Sequence, residues 1–246
     1  MIDIGYYVLS ALVILLTLTI HEYSHGYMAY KLGDNTAKSF GRLTLNPIKH
    51  LDPFGALCML LFHFGWAKPV PINARNFKNP KRDFALVALA GPLSNLILAF
   101  ISAFFYLLTL SIAIKSDVSS VFLQNIIKNT ILFFSLFHSI NIGLAVFNLL
   151  PVPPLDGSRL LNVILPPKIY FGIMKYERKI YFALVGWLLL GSYVKMFLLR
   201  IPFVVASPVL SFIASLFSLS DILVSLFTLI SKAMLNFWQL IPFLNV

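Results

Sequence analysis

Residues 17–30, TLTIHEYSHGYMAY, close a long apolar run and set two imidazoles and one carboxylate inside it. An ionisable group in a membrane-length segment is costly and persists where it has a task. On a helix, positions i and i+4 share a face, so His21 and His25 point the same way, near enough to hold one metal ion. Glu22, one residue on, is offset toward the open side of such an ion. This is the HExxH arrangement, two metal ligands and a glutamate placed to take a proton from a water at the metal. Zinc suits imidazole plus carboxylate and brings no redox chemistry. So short a pattern also arises by chance in soluble helices. The apolar setting weighs against chance here, because a Glu between two His must be paired or coordinating.

That setting extends along the chain. Of its 246 residues, 59% are hydrophobic and 11% charged, against roughly a quarter charged in a soluble domain. Several runs approach or exceed the ~20 apolar residues that span a bilayer, so the chain reads as an integral membrane protein. Spans are expected over about 5–30, 83–114, 122–150, 181–199 and 208–230, with 233–246 too short to assign. The fold expected is an all-α, polytopic bundle of five to six transmembrane helices, forming a single membrane-embedded domain over 1–246 with no internal repeat. Residues 53–66, PFGALCMLLFHFGW, are short for a span and suit a re-entrant or hairpin segment between the first two helices. KPVPINARNF after them alternates weakly, and its prolines confine any strand there to an edge. Residues 1–7, MIDIGYY, carry no positive charge, and no cleavage site precedes HEYSH, so the first span is expected to be retained.

The net charge of +10 comes from 19 Lys and Arg against 9 Asp and Glu. No RNA-binding signature accompanies it, so nucleic acid is not an expected partner. Basic loops at an anionic membrane face account for it better. Residues 31–82 and 150–180 carry 14 of the 19 basic residues, which sets both loops on the cytoplasmic side and the N-terminus outside. Cys58 is the single cysteine, so there is no disulfide framework.

A catalytic zinc site wants three protein ligands. Among the carboxylates, Asp156 stands out, in FNLLPVPPLDGSR directly after a long apolar span. Prolines stiffen this segment and Gly157 permits a tight turn, so the carboxylate can be aimed back into a bundle. Asp156 can equally be the cap of a helix starting near Ser158. His50, His63 and His138 read as polar packing residues. Asp221 is either an intramembrane functional group or, with Ser220, the start of a helix after a break.

HEYSH, GPLSN (91–95) and NLLPVPPLDG (148–157), in that order on three successive spans, resemble the site-2 proteases, which are intramembrane zinc metalloproteases. GRLTLNPIKHLDPFG (41–55) and FGWAKPVPINARNFKNPKRD (64–83) resemble the compact bacterial and archaeal branch without PDZ or CBS domains. The resemblance covers residues 13–165, with the C-terminal helices of 177–246 outside it. It implies that His21, His25 and Asp156 are the zinc ligands and Glu22 the general base. It implies that Asn148 lies near the metal as an oxyanion donor, and that Gly91, Pro92 and Asn95 pack by the site or bind substrate. Plain helix packing accounts equally well for Gly91 and Pro92. The implied partners are the lipid bilayer and a membrane-protein substrate with a transmembrane segment. The implied setting is a multi-pass protein of a prokaryotic cell membrane, its active site toward the cytoplasm. An extended edge at residues 70–77 would suit capture of an unwound substrate as an added strand. Two rival functions use the same residues: a metal carrier, and an inactive relative that binds membrane partners. The first leaves Glu22 without a task and lacks the usual inverted repeat; the intact HEYSH argues against the second.

Overall fold

The computed structural model describes residues 4–55, 67–116, 118–198 and 219–246. The described residues are helical, in α1 (Ile4–Lys31), α2 (Thr36–Ser39), α3 (Pro80–Lys115), α4 (Val121–Asn148), α5 (Asp156–Ile164), α6 (Pro167–Met174), α7 (Glu177–Leu198) and α8 (Leu219–Trp238). Three of these, α1, α3 and α4, are long and apolar enough to cross a membrane. Most of the expected 53–66 hairpin, with Cys58 and His63, lies outside the described residues, as does the first part of the 208–230 span. Helix α8 is described from Leu219 onward, so the helix break expected near Ser220 lies at the edge of the described residues, and the Asp221 side chain lies outside them.

The core is the meeting of α1, α3 and α4. On α1 the buried stripe is Val13, Thr17, His21, His25 and Ala29, an unbroken i, i+4 ladder. The facing stripe of α3 includes Ala88, Gly91, Asn95, Ala99 and Ala103, small side chains that let two helix backbones approach closely in lipid. Helix α4 closes the third side. Asn141 Nδ2 donates to Thr17 Oγ1 at 3.0 Å. His138 bridges the Ala99 carbonyl at 2.9 Å and Ser231 Oγ of α8 at 2.8 Å, which is the polar packing role expected of it. An interhelical hydrogen bond in a bilayer is worth only about 0.6 kcal/mol. These pairs therefore set register more than stability.

Helix boundaries follow local rules. Helix α1 ends at Gly33, whose positive φ of 105° suits a residue without Cβ. Helix α3 begins with Pro80 in its first turn. There Asp83 accepts from the Asn79 N–H at 3.0 Å and pairs with Arg82 at 3.0 Å. Pro92 is buried within the helix.

The expected edge strand at KPVPINARNF is not a strand. A lone antiparallel bridge joins Leu51 and Ala67, and residues 74–76 make a 3-10 turn. Two prolines remove N–H groups, and side chains take others: Val70 N–H donates to Glu22 and Asn73 N–H to Asp34. Little of a ladder is left to form.

Candidate active site

His21 and His25 lie on the inner stripe of α1, both buried. The chain between α4 and α5 folds back beneath them. Gly157 makes this return possible: a Cβ there would collide with the backbone of Leu149 and Leu150 at the end of α4. Asp156 thereby reaches the histidines. Its Oδ2 lies 3.2 Å from His21 Nε2 and 3.2 Å from His25 Nε2, while the two Nε2 atoms are 3.1 Å apart. Helix α5 does start at Asp156, but its N-cap is Leu155, and the Asp156 Oδ2 lies against the two histidines instead. The capping alternative is thus not the one adopted.

These atoms form a nearly equilateral triangle. Zinc bonds nitrogen and oxygen ligands at about 2.0–2.2 Å in tetrahedral sites, so neighbouring ligands sit about 3.3 Å apart. The triangle has the size of one tetrahedral face, and among the described residues it is the group of three that can hold a metal ion. Two further features fit a cation. Asp156 Oδ2 is buried without an aligned hydrogen bond even though both imidazoles are close. His25 Nδ1 donates to the Val87 carbonyl at 2.7 Å, which leaves the Nε2 lone pair facing the centre, the usual outer arrangement of a metal-binding histidine.

Gly91 forms the wall behind the rings. A Cβ there would overlap His25 Nε2 and lie 2.6 Å from His25 Cε1 and 2.7 Å from His21 Cε1. Sequence reasoning left its role open between packing and the site; the structure puts it against both imidazoles. Asn95, one turn on, is fully buried with Nδ2 unpartnered among the described residues. Pro92 is buried in the same turn of α3 but does not line the cavity.

A cavity of about 550 Å³ opens in front of the triangle. His21, Glu22, His25, Asn148, Asp156 and Arg159 are its polar lining. Most of the remainder is apolar, including Pro69, Ile72, Phe84, Val87 and Leu155. Glu22 Oε2 accepts the Val70 N–H at 3.0 Å. Asn148 faces this cavity, but its amide donates to the Leu144 carbonyl of its own helix at 3.0 Å. Arg159, three residues beyond Asp156, pairs with Glu177 at the start of α7 at 2.9 Å.

Three interactions escaped sequence reasoning, which read residues 70–77 only as a capture edge and Arg159 only as a loop charge. Val70 acts through its backbone, which no side-chain pattern reveals. Arg159 sits in the quoted LDGSR. Asp34 follows the Gly33 stop and is fully buried. It accepts from Thr36 N–H at 3.1 Å, Thr36 Oγ1 at 2.5 Å, Asn73 N–H at 2.7 Å and Asn76 Nδ2 at 2.7 Å. Burial alone would raise its pKa, but the bonds from Thr36, Asn73 and Asn76 outweigh it and hold the carboxyl below its ordinary range. The available signal was an aspartate just past a helix end, facing an Asn-rich loop.

Residues 9–190 match the pattern of Peptidase family M50. The chain is 45% identical over 196 residues to "Putative zinc metalloprotease YwhC" of Bacillus subtilis, covering 77% of this chain and 87% of that one. It is 30% identical over 169 residues to "Putative zinc metalloprotease Rip2" of Mycolicibacterium smegmatis, covering 67% of this chain and 60% of that protein. The Rip2 of Mycobacterium tuberculosis matches at 29% over 160 residues. No solved structure matches the chain. With a metal-sized triangle on the HEYSH helix and a family match running from α1 into α7, the chain belongs to peptidase family M50, the site-2 protease family.

Proposed function

We propose that this protein is an intramembrane zinc metalloprotease that hydrolyses peptide bonds in or beside the transmembrane segments of other membrane proteins, as one membrane-embedded unit of five to six spans. The observation that carries the reading is the triangle of His21, His25 and Asp156 with the Glu22 carboxylate on the rim of the same cavity. A divalent cation there balances two carboxylates in a site where Arg159 is the one Lys or Arg in the lining.

His21 Nε2, His25 Nε2 and Asp156 Oδ2 would hold the zinc. Bound there, zinc supplies Lewis acidity toward a water and a peptide carbonyl. Glu22 takes the proton of the attacking water and returns it to the leaving amine. Its Oε2 is occupied by the Val70 N–H, so Oε1 is the oxygen for this transfer. Asn148 turns its amide from the Leu144 carbonyl to the oxygen where charge develops. A substrate helix bonds its own backbone internally, so a segment must unwind before it enters the cavity. The basic loops at 31–82 and 150–180 set the orientation, with N-terminus outside and the site in the cytoplasmic half of the bilayer.

The test is purified protein in liposomes with a transmembrane substrate, wild type against Glu22→Gln. Cleavage by wild type, and its loss in Glu22→Gln with zinc retained, supports the reading. Equal cleavage by both forms, or cleavage unaffected by zinc chelation, overturns it. Orientation is read with an impermeant thiol reagent on a Cys58→Ser background. Cysteine at position 119 should label in intact cells and cysteine at position 39 should not.

A further inference from the structure

Residues 67–77 border the cavity with only the 3-10 turn of 74–76 as regular structure, yet the segment is held at many points. At its start, Lys68 N–H donates to the His50 carbonyl at 2.9 Å. The buried Arg42 reaches the Lys68 carbonyl at 2.5 Å and the Pro69 carbonyl at 3.4 Å through Nη2. At its end, Asp34 takes the Asn73 N–H and the Asn76 side-chain amide, both at 2.7 Å. Midway stands Val70, 7% exposed, flanked by Pro69 and Pro71. Its N–H is the one donor of the stretch 69–71, and it goes to Glu22. A guanidinium on one side and a carboxylate on the other thus pin a short span of chain whose centre touches Glu22.

We infer that this segment is a fixed strap that orients Glu22, and that Asp34 and Arg42 are positioning residues acting on that base through the Val70 N–H. The inference rests on the protease reading above. Its physical content is that a free glutamate has several rotamers and two equivalent oxygens. One backbone donor, itself held at both ends, selects one rotamer and leaves one oxygen to the cavity. A carboxylate 12 residues beyond Glu22 thereby bears on the base without touching it.

The experiment compares Val70→Pro with Val70→Ala, and Asp34→Ala with Asp34→Asn, in the full-length protein, reading bound zinc, kcat and KM. Proline removes the N–H and alanine keeps it. General acid–base catalysis contributes about 10²–10⁴, so a mispositioned base should forfeit part of that factor: kcat of Val70→Pro is expected roughly tenfold or more below Val70→Ala, with zinc and KM alike in the two. Asp34→Ala and Arg42→Ala should fall in kcat, and Asp34→Asn should recover part, because its amide oxygen still accepts the Asn73 N–H. Equal kcat for the two Val70 variants overturns the proposal. So does a loss confined to KM, which would make the segment a substrate edge. Amide exchange at Val70 keeps this test separate from that of the protease reading. Exchange should quicken in Glu22→Ala and Asp34→Ala while α1 and α3 stay protected. Unchanged exchange overturns the strap whether or not the protein cleaves, and wild type that cleaves nothing counts against the protease reading alone.

Discussion

The two sides of the triangle are built on different principles. His21 and His25 stand on one continuous helix, and four residues of α-helical backbone place them together before any tertiary contact forms. Asp156 comes from a turn 131 residues after His25 by sequence number, and it reaches the imidazoles only because α4 stops at Asn148 and Gly157 lies against the carbonyls of Leu149 and Leu150. The helix side is local and tolerant of small shifts elsewhere. The turn side depends on how α4, α5 and α1 pack. The difference teaches that one metal site can be half pre-organised by secondary structure and half assembled by folding.

Removing ligands is the severest way to break the comparison. His21→Ala, His25→Ala and Asp156→Ala should each lose bound zinc in metal analysis of purified protein. Glu22→Gln should keep zinc near wild type and lose cleavage. Full zinc in Asp156→Ala would mean that the helix side suffices and that the third ligand lies elsewhere. Next in size is Asn148→Ala, on the turn side. An oxyanion donor accounts for ~10²–10³ in rate, so turnover should drop by that order with zinc unchanged. Zinc loss in this variant would reassign Asn148 to holding the turn.

The two glycines sharpen the contrast at smaller scale. Gly157→Ala places a Cβ against backbone, which cannot yield without moving Asp156. Gly91→Ala places one against imidazole rings, which can turn if the Val87 contact is given up. Zinc affinity should fall in both, by about 10–100-fold for Gly91→Ala, the range seen when a ligand's supporting contacts are lost, and further for Gly157→Ala. Competition with a chelator measures it; a smaller loss for Gly157→Ala would reverse the ranking of the two sides.

The smallest effect belongs to Asp34. Its folded pKa lies below its ordinary value, so the carboxylate's contribution is present above the ordinary range near pH 4 and fades as pH falls through the lower folded value. Thermal unfolding in detergent between about pH 6 and about pH 3 should show less acid loss in Asp34→Asn than in wild type. An identical pH slope would assign the acid sensitivity to other carboxylates.

By itself the sequence determined what depends on composition and short spacing. Apolar runs longer than a bilayer is thick make α1, α3 and α4 membrane-length helices. The i, i+4 spacing of HEYSH puts two imidazoles on one face whatever surrounds them, and Pro80 and Gly33 mark a helix start and a helix end. Tertiary structure decided what depends on contacts across the chain. Asp156 faces His21 and His25 because the turn folds under α1, and nothing within LDG separates that from a helix cap. Gly91 matters through a Cβ it lacks, against rings 66 and 70 residues earlier in the chain. Val70 meets Glu22 through a backbone N–H that every residue except proline carries, and Asp34 adds Asn73 and Asn76 to its local partner Thr36 only once residues 67–77 lie against it. The physical reason is range: helix geometry is settled by neighbours within one turn, whereas backbone donors and missing side chains acquire meaning from whatever distant segment folding brings against them.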